Sequence, residues 1–108
     1  MQILIVDDCQ DIRNILSDLL KRRGHNVIEA IDGQDGLWKF AQNSNIDLVI
    51  TDFEMPNKNG QELAHEIRKS NSHIPILLHT GYDEAKKTPD INAVVPKGDF
   101  RQIEPYLK

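Results

Sequence analysis

Two kinds of apolar segment alternate along this chain. Ile3-Leu4-Ile5-Val6, Leu48-Val49-Ile50 and Ile74-Pro75-Ile76-Leu77-Leu78 are short, continuously apolar and rich in branched side chains, as strands covered on both faces are. Val27-Ile28 and Ala93-Val94-Val95 are weaker runs of the same type. Between them lie amphipathic stretches. Ile12, Ile15, Leu16, Leu19 and Leu20 fall at spacings of three and four, which predicts a helix with one apolar stripe. Lys21-Arg22-Arg23 places cations at its carbonyl end, and Gly24 supplies a left-handed cap. A second helix is predicted after Asp32, with Leu37, Trp38, Phe40 and Ala41 as its apolar side. A third follows Asn59, where Glu62 three residues on matches a capping box and Leu63, Ala64 and Ile67 face inward. Strands alternating with helices imply parallel pairing through right-handed crossovers. The predicted fold is a doubly wound α/β sheet.

The length of 108 residues suits one domain, spanning 1–108, with a core large enough to stand without disulfides. A lone Cys9 offers no intrachain partner in any case. Hydrophobic content of 39%, charged content of 28% and a mean hydropathy of -0.49 describe an ordinary globular chain rather than a disordered one. No apolar run approaches the ~20 residues of a membrane span. Met1-Gln2-Ile3 opens without a basic stretch and a long apolar region, so no secretory signal is expected and the cytoplasm is the default. Thirteen basic against seventeen acidic residues leave a net charge of -4, which disfavours nucleic acid as a partner.

Ligands of open parallel sheets sit beyond the carboxyl ends of the strands. There the chain carries Asp7 and Asp8 after the first strand, Thr51 and Asp52 at the end of the third, Thr80 and Gly81 at the fourth, and Pro96 and Lys97 at the fifth. Three carboxylates at one edge repel one another and call for compensation if all are to stay ionised. A hard divalent cation held through oxygens is the economical answer. The chain has no paired Cys or His set at ligand spacing, which disfavours zinc, whereas a few carboxylates with room for water and a phosphate oxygen suit Mg²⁺. An Asp carboxylate beside Mg²⁺ can attack phosphorus to form an acyl phosphate. Lys97 and Thr80 would then bind the phosphoryl oxygens, since such transfer needs positioning and charge neutralisation above all.

These residues resemble the receiver domains of bacterial two-component response regulators. The resemblance is carried by Ile3-Leu4-Ile5-Val6-Asp7-Asp8 with Arg13 shortly after, by Asp47-Leu48-Val49-Ile50-Thr51-Asp52-Phe53-Glu54-Met55-Pro56-Asn57-Lys58-Asn59-Gly60, by Thr80-Gly81 and by Lys97. The most specific piece is the Asp-x-x-Met-Pro-x-x-Asn-Gly run that begins 44 residues after Asp8. The resemblance implies a flavodoxin-like (βα)5 fold with strand order 2-1-3-4-5. It implies Asp52 as phosphoacceptor, Asp8 as a direct metal ligand, Asp7 as a ligand through water and the backbone carbonyl of Glu54 as a further ligand. It also implies Thr80 moving toward the phosphoryl group, Lys97 pairing with it, and a histidine kinase or histidine phosphotransfer protein as phosphoryl source. The downstream partner is not implied, and membrane association is not expected. Such a domain catalyses only its own phosphorylation and dephosphorylation and turns over no external metabolite.

Several features depart from that pattern. Only 17 positions separate Thr80 from Lys97, and Tyr82–Asp90 has room for about one turn before Pro89, so the fourth helix is expected to be rudimentary or missing. Val94 stands three residues before the lysine, where receivers commonly place an aromatic switch residue. Pro96 precedes Lys97 and Gly98 follows it, in place of the usual Lys-Pro pair. The last helix has only Asp99–Lys108, with Phe100, Ile103 and Leu107 as its apolar side and Pro105 interrupting it. These changes fall on the face many receivers use for output. Glu54 and Tyr82, two residues beyond Asp52 and Thr80, border the pocket and are expected to tune the access of water to the acyl phosphate.

Other residues have plainer readings. Cys9 is expected to be a small packed residue, Trp38 core, and Lys21-Arg22-Arg23 a solvated helix end. His25, His65, His73 and His79 show no ligand spacing; His79 should point away from Thr80, and a short fourth helix would leave it unusually exposed. Ile15 and Leu20 lie at the margins of the first helix's stripe, where related receivers dock phosphotransfer helices. The leading function is a phosphoacceptor signalling domain, acting as a stand-alone switch, a phosphorelay intermediate or a piece of a hybrid kinase. Two alternatives stand beside it. One is a phosphorylation-independent interaction module, suggested by Val94 and the short fourth helix. The other is an aspartyl-phosphate phosphatase resembling the haloacid dehalogenase class, disfavoured because the acidic pair comes first in the chain and no cap domain encloses a substrate.

Overall fold

A computed structural model describes residues 1–81 and 87–108. Its elements run β1 (Gln2–Val6), α1 (Gln10–Arg22), β2 (Asn26–Ala30), α2 (Gly33–Gln42), β3 (Leu48–Thr51), α3 (Gly60–Arg68), β4 (Ile76–Thr80) and β5 (Ala93–Pro96), followed by two 3₁₀ turns at Phe100–Gln102 and Glu104–Tyr106. The strands form one parallel sheet in the order β2-β1-β3-β4-β5. This is the flavodoxin-like doubly wound fold that the alternating pattern and the family resemblance predict.

The continuous apolar strands sort their side chains by the period of two. Leu4, Val6, Val49, Ile76 and Leu78 pack with Leu63, Ala64 and Ile67 of α3 on one face. Ile3, Ile5, Leu48, Ile50, Leu77 and Val95 pack with Leu16 and Leu20 of α1 on the other. The predicted caps form: Gly24 adopts φ +88°, and Asn59 and Glu62 make the reciprocal capping box that starts α3.

Three packing expectations are corrected. Trp38 is 61% exposed rather than core, and Ala41 is exposed with it. The reason is Gly36, which faces the sheet so closely that a Cβ there would lie 2.9 Å from Val6 Cγ2. That contact sets the rotation of α2, so Leu37 and Phe40 pack inward while Trp38 and Ala41 turn out. Leu20 is wholly buried rather than marginal, whereas Ile15 is 57% exposed. Cys9 is exposed rather than packed, standing before α1 at the rim of the sheet.

The C-terminal side also differs from a regular helix. Ile103, Tyr106 and Leu107 donate their N–H groups three residues back, to Phe100, Ile103 and Glu104. Pro105 has no N–H for an α-helical ladder, which leaves these tighter turns. They still cover the sheet: Ile103 is fully buried, with Phe100, Tyr106 and Leu107 against the α1 face. Arg23 is not simply solvated, since its Nη1 lies 3.0 Å from Glu104 Oε2 and its guanidinium sits 4.8 Å from the centre of the Phe100 ring. The expectation about the fourth helix falls largely on residues 82–86, outside the described residues; residues 87–92 form turns and no helix.

Candidate phosphorylation site

The carboxyl ends of β1, β3, β4 and β5 bring the predicted residues to one place. Asp8, Asp52, Glu54, Thr80 and Lys97 line an open pocket of about 620 Å³ together with Met55, Pro56 and Gly81. Carboxylate oxygens of Asp7, Asp8 and Asp52 lie within 4.8 Å of one another. Asp7 and Asp52 are buried and Asp8 is exposed, so the cluster has a solvent-facing side. Tyr82 lies outside the described residues.

Each group is held by backbone chemistry near its strand end. Asp52 N–H donates to Val6 O at 2.8 Å, joining β3 to β1 beneath the site. One carboxylate oxygen of Asp52, Oδ1, accepts the Phe53 N–H at 2.8 Å, and Oδ2 accepts from Lys97 Nζ at 3.1 Å. Asp7 Oδ1 accepts the Cys9 N–H at 2.9 Å, which is what Cys9 contributes: its backbone rather than its sulfur. Arg13 Nη1 donates to the Asp7 carbonyl at 2.7 Å and so fixes the exit from β1. Gly60 closes the loop from β3 by donating to Phe53 O. A Cβ at Gly60 would lie 2.2 Å from the Asp52 carbonyl oxygen, so this glycine is required by close approach. Asn57, at φ 72°, donates through Nδ2 to Asp32 Oδ2 and ties that loop to the start of α2.

Electrostatics at the pocket are dominated by the carboxylates. Burial raises the Asp7 carboxyl above its ordinary 3.8, the Cys9 N–H works against this, and the charge of Asp52 adds to it. Burial by itself would depress the Lys97 ammonium, but its hydrogen bond to Asp52 and the charge of Asp7 outweigh that and hold it above its ordinary value. Among the described residues, three carboxylates gather around one ammonium. Asp7 Oδ2 is buried and pairs with Lys97 Nζ at 3.4 Å, and it accepts no well-formed hydrogen bond from the described residues. An all-oxygen cluster with an unsatisfied buried carboxylate oxygen and one exposed member fits a hard divalent cation of the Mg²⁺ type.

Comparison with known proteins agrees with this geometry. The model of the response regulator receiver domain matches residues 3–95. The chain belongs to that family. Among curated relatives, the receiver is 44% identical over 102 residues to the CAI-1 autoinducer sensor kinase/phosphatase CqsS of Vibrio cholerae, covering 92% of this chain and 15% of CqsS. It is 43% identical over 105 residues to the transcriptional regulatory protein YrkP of Bacillus subtilis, covering 97% of this chain and 43% of YrkP. The chain therefore spans less than half the length of either relative. Among solved structures, the response regulator TrrA of Thermotoga maritima in complex with Mg²⁺-BeF has a TM-score of 0.88 at 34% identity, covering 98% of both chains. A second structure, of TrrA with the histidine kinase ThkA, gives 0.84 at 33% identity, covering 99% of this chain and 98% of that one.

One further residue of the receiver's site region was misjudged from sequence. His79 does point away from Thr80, toward α1, but only 3% of it is exposed. β4 is interior to the sheet because β5 pairs along its outer side, and α1 with Phe100 covers the face that His79 occupies. Burial, aided by the charge of Lys97 and opposed by Asp52, lowers its pKa from 6.5 to about 4.

Proposed function

We propose that this receiver is a phosphoacceptor of a cytoplasmic two-component system, accepting a phosphoryl group on Asp52 from a histidine kinase or histidine phosphotransfer protein in a Mg²⁺-dependent reaction. The observation that carries the reading is the placement of Lys97 Nζ, 3.1 Å from Asp52 Oδ2 and 3.4 Å from Asp7 Oδ2, at the mouth of the three-carboxylate cluster.

A carboxylate oxygen of Asp52 attacks phosphorus as the bond from phosphorus to the donor histidine's nitrogen breaks. The electron pair of that bond leaves with the imidazole, and Asp52 becomes an acyl phosphate. Lys97, released from Asp52 as the carboxylate charge is consumed, pairs with a phosphoryl oxygen, and the Thr80 hydroxyl lines the same space. Asp7, Asp8, Asp52 and the Glu54 carbonyl would hold Mg²⁺, and the ion would supply charge neutralisation for the phosphoryl oxygens. Catalysis is thus positioning and charge compensation, and the chain turns over no separate substrate. Glu54, exposed at the rim, is placed to influence how water reaches the acyl phosphate during hydrolysis. Ile15, exposed on α1, offers an apolar contact for a phosphodonor helix.

Incubating the protein with Mg²⁺ and acetyl phosphate and following intact mass tests the reading. The expected result is a gain of one phosphoryl group that requires Mg²⁺ and is abolished in Asp52→Asn. No gain by the folded wild type would favour a phosphorylation-independent interaction module. Rapid turnover of phosphomonoesters would favour a phosphatase.

A further inference from the structure

β4 delivers two side chains to opposite faces at its carboxyl end. Thr80 lines the acidic pocket, while His79 lines a cavity of about 100 Å³ beneath α1 with Leu16, Leu19 and Phe100. The Gly98 N–H donates to His79 Nε2 at 3.1 Å. Nε2 is therefore the unprotonated nitrogen, and the ring's hydrogen resides on Nδ1. Nδ1 is buried and has no hydrogen-bond partner among the described residues. For packing alone an aliphatic side chain would serve better, since it would bury no unmatched donor. What the imidazole supplies, and an aliphatic side chain cannot, is an acceptor for Gly98.

That acceptor matters because of what Gly98 follows. The Asp99 N–H donates to the Pro96 carbonyl at 3.0 Å, closing a tight turn with Lys97 and Gly98 at its centre. Gly98 has φ +89°, the left-handed value that the third residue of a type II turn requires. Gly98 is exposed, and its N–H takes no part in the turn's own hydrogen bond; it is given to His79 rather than left to water alone. On the other side of the lysine, its own N–H donates to the Thr80 carbonyl at 3.0 Å. Both peptide groups flanking Lys97 are thereby tied to consecutive residues of β4. From that double anchorage the side chain reaches Asp52 and Asp7.

We propose that His79 is a positioning residue for Lys97, accepting the Gly98 N–H and so holding the turn from which the ammonium reaches Asp52. The proposal rests on the reading of Lys97 as the cation that binds the phosphoryl group. It also accounts for Gly98 standing where receivers commonly carry a proline: a proline has no N–H to anchor, and here the donor of Gly98 and the acceptor of His79 form a pair.

The test uses the full chain with His79→Leu, His79→Gln and His79→Asn, following phosphoryl gain from acetyl phosphate with Mg²⁺, melting temperature and hydrogen exchange at the Gly98 amide. Glutamine extends an acceptor about as far as Nε2, asparagine only about as far as Nδ1, and leucine none. Leucine and asparagine are expected to slow phosphorylation about tenfold, within the ~10²-fold that a misplaced group can cost, while glutamine stays near the wild-type rate. Leucine should do so without a fall in melting temperature, and Gly98 exchange should be faster in leucine and asparagine than in glutamine. Equal rates in all four proteins, or equal slowing by leucine and glutamine, would overturn the proposal. If the wild type takes up no phosphoryl group, the parent reading fails and Gly98 exchange alone decides: exchange unchanged by leucine overturns the anchor. Should the leucine variant not fold, asparagine against glutamine makes the same comparison.

Discussion

The edge beyond β1 and β3 and the C-terminal side beyond β5 hold their parts in place by different means. At the first, Asp7 and Asp52 sit at the ends of buried strands, with carboxylate oxygens fixed by the N–H groups of Cys9 and Phe53 and the Gly60 turn pressed against the Asp52 carbonyl. At the second, two 3₁₀ turns stand where a helix was expected, Ile103 anchors them, and Arg23 reaches across from α1 to Glu104 and Phe100. The first region leaves no room beside the Asp52 carbonyl for even one added carbon at Gly60. The second relies on one buried side chain, the partly buried Phe100, Tyr106 and Leu107, and a few exposed contacts. His79 joins the two, lying under the C-terminal cover while its imidazole holds the turn behind Lys97. The acidic cluster thus stands where close backbone approach constrains substitution, and the reduced elements where side-chain packing carries the contact.

This contrast is open to attack at several points. The largest effect is expected for Gly60→Ala, because the added Cβ meets the Asp52 backbone carbonyl, which cannot swing away, and also crowds the buried Leu78 side chain at 2.7 Å. Denaturant unfolding should show a loss of about 3 kcal/mol or more, the upper range for overpacking. A loss under about 1 kcal/mol would mean that the acidic edge yields as readily as the C-terminal side.

Acid should act next, through His79. Its pKa falls from 6.5 to about 4 on folding, so between those values the unfolded chain binds a proton that the native one refuses. Stability therefore declines as pH falls through this window, by up to roughly 3 kcal/mol, and His79→Leu should flatten most of that slope. Asp7 works in the opposite sense, since a carboxyl raised above 3.8 by burial takes its proton earlier in the native state. Chemical denaturation at steps between pH 7 and pH 4 separates the two. An undiminished slope in the leucine variant would remove His79 as its cause.

The smallest effect is expected for Arg23→Ala, about 1 kcal/mol, because the ion pair and the ring contact are partly exposed. Hydrogen exchange should nonetheless quicken at Tyr106 and Leu107 and stay unchanged at Asp52 and Phe53. Equal quickening in both places would contradict the division of the molecule into a stiff edge and a lightly held side.

The acidic cluster was legible because each member stands within two residues of the end of an apolar run, and strand ends converge in a parallel sheet whatever the details of packing. Asn59 with Glu62 and Gly24 were legible for a similar reason, since caps are local. Trp38, Cys9, Leu20 and His79 were not. A hydrophobic residue beside an apolar stripe is indistinguishable from one within it until the rotation of the helix is known, and Gly36 against Val6 settles that rotation for α2. The exposure of His79 depended on whether a fourth helix was the cover over its face; the cover proved to be α1 and Phe100.

By itself, then, the order of apolar runs and caps determined the parallel sheet and the edge at which Asp7, Asp8, Asp52, Thr80 and Lys97 would meet. Those are consequences of alternation and spacing, which act over a few residues at a time. Tertiary structure alone decided which way α2 turns its tryptophan and that a histidine on β4 accepts a hydrogen bond from the residue after the lysine. Each of these depends on groups 19 or more positions apart coming within contact distance, as His79 and Gly98 do, and no local pattern encodes that.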